Sequence, residues 1–136
     1  MALLPLEIVS PDRLLLSREV SMAVIPAADG LMGVQPGHAP MIVLLQGGTI
    51  SIHEGGSVTD RLFVSGGFAE ITPERCTVLA DDAVPVAELS RSDAERRLAD
   101  AQAAYEAADK RDIPALDAAT ARVQSERARV AAAGAA

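Results

Sequence analysis

The chain has 136 residues, of which 49% are hydrophobic and only 2% aromatic, and carries a net charge of −7. That length suits one core-bearing domain plus an appendage, or a single larger domain. The acidic balance, the single lysine (Lys110) and the absence of aromatic platforms argue against nucleic-acid binding, which needs clustered cations.

Met1–Glu7 meets an acid at once and has no basic n-region, so it does not read as a signal peptide. Turn signals then recur about every eight to ten residues: Ser10-Pro11-Asp12, Asp29-Gly30, Pro36-Gly37, Gly47-Gly48, Gly55-Gly56, Gly66-Gly67 and Thr72-Pro73-Glu74. Between them lie short apolar or alternating runs: Leu6–Val9, Val20–Ile25, Met41–Leu45, Thr49–His53, Arg61–Val64, Phe68–Ile71 and Cys76–Ala80. This spacing predicts an antiparallel β-sandwich or barrel. Leu31–His53 has no formal charge over 23 residues, but its glycines and prolines cut it into short pieces. It reads as buried strands with turns, not as a membrane span.

The composition changes near Pro85. Nine of the ten glycines lie at or before Gly67, whereas 18 alanines fall among the 50 residues from Ala87 onward. The chain therefore divides into a β part, 1–86, and a helical part, 87–136. Ser90 and Asp93 open a first helix in the manner of a capping box. Ala94, Leu98, Ala101, Tyr105 and Ala108 form its apolar face. Asp112 caps a second helix, with Pro114 in its first turn and Leu116, Ala119, Val123 and Val130 as its stripe. The short link predicts an antiparallel hairpin that docks on something, since its mostly alanine seam contributes little.

The titratable residues form no catalytic set. Neither His38 nor His53 has a partner at catalytic spacing, and two histidines without nearby cysteine or carboxylate clusters make no metal site. Cys76 shares a strand face with Val78 and Ala80, as a buried thiol does. Asp81-Asp82 reads as a solvated pair, and the glycines at 30, 33 and 37 do not fit a phosphate loop. No cofactor is implied. These residues suit binding better than chemistry.

The run Gly30-Leu31-Met32-Gly33-Val34-Gln35-Pro36-Gly37-His38-Ala39-Pro40-Met41 resembles the signature of the ε subunits of F-type ATP synthases. Leu6–Pro11, Gly48–Ile52, Phe63-Val64-Ser65-Gly66-Gly67-Phe68-Ala69-Glu70-Ile71 and Cys76–Asp81 match the same family in the same order. The resemblance implies an N-terminal β-sandwich and a C-terminal two-helix hairpin. It further implies a non-catalytic rotor part that grips the γ subunit, rests on the c-ring at the cytoplasmic face of the inner membrane, and couples proton flow to ATP synthesis. The implied interface residues are Asp29, Gly30, Leu31 and Met32 at a loop tip against the c-ring, with His38 and Met41 beside them.

Some members bind ATP through a motif that falls here on Leu89, Ser90, Arg91, Ser92, Asp93 and Ala94. Ser90 replaces the motif's acid and Asp93 replaces its arginine, so ATP binding does not carry over. In some members the hairpin meets α/β and inhibits hydrolysis. Arg122 and Arg129, seven apart on one face, are the residues here that such a contact would use. A free-standing β-domain adaptor whose hairpin binds another helical partner is the alternative reading. A small Cys–His hydrolase is a third and would need a histidine beside Cys76.

Overall fold

The computed structural model describes residues 2–135; Met1 and Ala136, the outermost residues of the two parts, lie outside the described residues. Ten strands precede two helices: β1 Leu4–Ser10, β2 Arg13–Val20, β3 Met22–Ala27, β4 Gly30–Val34, β5 Met41–Leu45, β6 Gly48–Glu54, β7 Ser57–Val64, β8 Gly67–Thr72, β9 Arg75–Ala80 and β10 Ala83–Pro85. One turn of 3-10 helix, Val86–Glu88, leads to α1 Arg91–Ala107 and α2 Ile113–Ala135.

The strands form one curled sheet in the order β10-β7-β6-β3-β5-β8-β9-β1-β2, with β4 added on β3. All pairs are antiparallel except β1 with β9. The two ends approach without a backbone ladder. Arg18 of β2 bridges that seam, donating to Asp60 and, at 3.3 Å, to Glu54. Inward alternation of Leu4, Leu6, Ile8, Val43, Leu45, Ile50, Ile52, Ala69, Ile71, Cys76, Val78 and Ala80 fills the interior. Gly67 is fixed by crowding as well as by φ +129°: a Cβ there would sit 2.1 Å from the Leu79 carbonyl oxygen.

The strands differ from the sequence runs in three places. Val20–Ile25 is not one strand, because the chain turns at Ser21, whose N–H bonds the His53 carbonyl at 2.9 Å. Strand β2 is a separate element. Its Leu14-Leu15-Leu16 run hides the alternation, since the ladder shifts between Ile8 and Val9 and leaves Leu15 as a bulge residue. The glycine-bearing stretch before His38 holds a strand that the apolar runs did not mark. Gly30–Val34 pairs with Ala23–Ala27, and Val34 is fully buried.

The helical half follows its sequence pattern. Ser90 Oγ accepts from Asp93 N–H, and Asp112 Oδ1 accepts from Ala115 N–H, each at 3.2 Å. Ala94 and Ala101 are buried, and Leu98, Tyr105 and Ala108 partly so, while most of the remaining α1 surface is solvated. Lys110 Nζ donates to the carbonyls of Tyr105, Glu106 and Ala108 around the end of α1. Among the described residues no helix is long and apolar enough to cross a membrane.

Candidate functional site

The outer face of the barrel carries an apolar row made by strand register. Leu44 of β5 lies opposite Phe68 of β8, Phe68 opposite Leu79 of β9, Leu79 opposite Val9 of β1, and Val9 opposite Leu14 of β2. Leu44 is 69% exposed, Leu14 57%, Phe68 41% and Leu79 39%. One register step away stand Ile42, Glu70, Thr77 and Glu7, so carboxylates border the row. The apolar run Met41–Leu45 is buried only through Val43 and Leu45. Ile42 and Leu44 point to solvent.

Beside the row, β4 and β5 form the walls of a cleft of about 570 Å³. Asp29, Gly30, Leu31, Met32 and Met41 all line it, so most of the expected interface residues do meet. Leu31 and Met32 are not at a loop tip, however. They sit inside strand β4 and alternate: Leu31 is 76% exposed, whereas Met32 packs against the barrel core. The two-residue turn is Ala28-Asp29, set by pairing of Ala27 with Gly30. His38 stands apart, in the loop beyond the far end of β4. Its Nδ1 lies 2.8 Å from the Ala39 carbonyl oxygen, and the loop is tied to the β8–β9 turn by Gly37 N–H to Pro73 O at 3.0 Å.

The hairpin is held on the other side by the C-terminal half of α2. Gln124 grips both backbone groups of Gly47, and Ser125 Oγ donates to Ser65 O at 3.0 Å. Phe63, on the outward face of β7, is wholly buried under Val86, Ala128 and Ala132. Arg122 is exposed, but Arg129 is only 4% exposed and sits in this junction. Helical period does put both on one face. The barrel lies beneath only the second of them.

The remaining candidates behave as buried or solvated groups. Cys76 is buried, and desolvation pushes its thiol up to about 11. Its ladder neighbours are Leu6 and Ile71, with no histidine among them. That setting leaves a hydrolase reading without a nucleophile. His53 is half-buried on β6. Asp93 occupies the position of the family's ATP-motif arginine. It bonds Arg96 and, at 2.8 Å, Arg97; the latter bond holds its carboxyl below the usual range. Among the described residues no group of histidine, cysteine and carboxylate side chains is arranged to hold a metal.

A curled β-domain with an uncovered apolar row and a docked two-helix hairpin is the class that fold and surface define. The profile of the ATP synthase delta/epsilon chain β-sandwich domain matches residues 3–86. The ATP synthase epsilon chain of Granulibacter bethesdensis is 68% identical over 133 residues, covering 98% of both chains. That of Gluconacetobacter diazotrophicus is 50% identical over 94% of this chain and 91% of its own. The chain belongs to the ATP synthase epsilon chain family and is a subunit of that complex. The same fold occurs in the mitochondrial ATP synthase of Euglena gracilis, solved with OSCP, F1 and c-ring, at TM-score 0.78 and 24% identity over 97% of this chain and 82% of that one. It recurs in the central stalk and c-ring structure from Tetrahymena thermophila, at TM-score 0.66 and 15% identity over 96% of each chain.

Proposed function

We propose that this chain is a non-catalytic part of the central stalk that links γ to the c-ring and turns with them, coupling proton transport to ATP synthesis. The apolar row Leu44–Phe68–Leu79–Val9–Leu14 carries the reading. A soluble acidic domain rarely leaves five aligned apolar positions uncovered unless a partner covers them. The γ subunit is that partner, with cations expected opposite Glu70 and Glu7. The Ala28-Asp29 turn and Leu31 then meet the polar loops of the c-ring, at the cytoplasmic face of the inner membrane, with no membrane contact by this chain itself. The exposed Arg122 is the hairpin residue available to contact α/β and modulate hydrolysis.

Phe68→Asp tests the γ contact. It puts a charge in the middle of the row without touching the core. The isolated chain should stay folded, and co-purification with γ should fall by about 100-fold or more, as removal of a central aromatic anchor does. Undiminished association with γ sinks this assignment. Association with an unrelated soluble protein, in place of γ and the c-ring, favours the adaptor alternative.

A further inference from the structure

Arg129 is a charged side chain sealed between the hairpin and the barrel. Its Nε donates to Glu126 Oε2 at 3.1 Å, its Nη2 donates to Asp82 Oδ2 at 3.4 Å, and its guanidinium carbon stands 4.7 Å from the centre of the Phe63 ring. Asp82 and Phe63 belong to the barrel, whereas Glu126 is on the same helix and is itself buried. A further charged pair, Arg97 with Asp93 on α1, lies near enough to this junction for Arg97 to feel Glu126 and Asp82. The arrangement uses what arginine has and lysine lacks, a planar fork that bonds carboxylates edge-on while its face stacks on an aromatic ring.

We propose that Arg129 is an ionic lock that holds the hairpin on the barrel, so that the chain's own charges set the hairpin's resting position without a bound nucleotide. Glu126 is buried in the docked hairpin and pairs there with Arg129. Without Arg129, the docked state would hold that carboxylate buried without its cation and would lose the contacts to Asp82 and Phe63, which exist only while the hairpin is docked. The lock therefore discriminates between the two positions instead of merely adding contact area. Its opening would also uncover Phe63, because the helix residues that carry and flank Arg129 are the ring's cover. This inference does not depend on which protein binds the apolar row.

The test is electron–electron double resonance on the full chain, spin-labelled at Ser57→Cys in the barrel and Arg111→Cys in the link between the helices. Both positions are exposed, and buried Cys76 stays unlabelled. The parent should give one narrow distance. Arg129→Ala should broaden it, lowering the docked-to-open ratio by about 10- to 100-fold. Arg127→Ala, an exposed arginine on the same helix, should leave it narrow. Circular dichroism checks that the helices persist. If Arg129→Ala loses helix, Asp82→Asn decides, since it lies outside the hairpin: a broadened distribution supports the lock and an unchanged one overturns it. An unchanged distance in a helical Arg129→Ala, equal broadening in Arg127→Ala, or a parent that is already broad also overturns it.

Discussion

Gln124 treats Gly47 as a strand partner. Its Nε2 donates to the Gly47 carbonyl at 2.7 Å, and its Oε1 accepts from the Gly47 N–H at 3.0 Å. A side-chain amide thus satisfies both backbone groups at a bend in the barrel and sets the height of α2 along it. Glycine is needed because the helix backbone is so close. A Cβ on Gly47 would sit 2.5 Å from Ser125 Cα. Gly47→Ala should therefore displace the hairpin and leave the barrel intact, at a cost of about 1–3 kcal/mol of docking. Tryptic cleavage after Arg129 should speed up by about tenfold or more. Cleavage at the parent rate would show that the contact is soft.

Leu31 is the separable part of the proposed c-ring contact. It is 76% exposed, whereas its neighbour Met32 packs on the core, so only Leu31 can be changed without disturbing the fold. Leu31→Asp should alter stability by no more than about 0.5 kcal/mol. Proton-coupled ATP synthesis should fall while ATP hydrolysis by the detached catalytic head persists. Unchanged coupling would move the contact elsewhere.

Cys76 should make stability depend on pH in the alkaline range. Its thiol is raised from an ordinary value of 9.0 to about 11 by burial. The unfolded chain ionises first, so the folded state holds more protons between these values. The contribution is complete below pH 9 and is lost as pH rises towards 11, by about 3 kcal/mol in all. Urea midpoints from pH 8 to 11 should fall in the parent and flatten in Cys76→Ala. Parallel slopes would show that the thiol is not the titrating group.

Millimolar ATP should give no stoichiometric heat on titration into the chain. Asp93 stands where the motif's arginine would meet phosphates and is occupied by Arg96 and Arg97. A saturable site by calorimetry contradicts this, and Asp93→Arg together with Ser90→Asp is the pair of changes expected to create one.

The β part should fold without the hairpin. The main core is built from residues no later than Ala83, and the Phe63 cluster is separate from it. A 1–86 fragment should give dispersed amide resonances, with Phe63 newly exposed and solubility reduced. Collapsed dispersion would mean that the two parts form one cooperative unit.

Local signals were readable where structure is local. Ser90, Asp112 and the Ala94–Leu98–Ala101–Tyr105–Ala108 face mark the helices because capping and the helical period act within a few residues. The glycine and proline pairs mark the turns between strands for the same reason. Residue pattern fails at β2, where a bulge lets three leucines follow one another, and at β4, where glycines sit in a strand. In both places the partner strand, not the residues themselves, decides the conformation. The apolar row left one trace in the sequence. Met41–Leu45 is apolar on both faces, which in an antiparallel sheet signals a second covered side.

The amino-acid order by itself determined a β-domain followed by a helical hairpin, and the family to which they belong. Only the tertiary structure decided which residues share a surface. Leu14 and Leu44 lie 30 positions apart and fall in one row through four ladders of register. Arg122 and Arg129 share a helical face but separate into solvent and interior, because the barrel reaches under one and not the other. Register and docking arise from contacts between distant segments, and no local propensity encodes them.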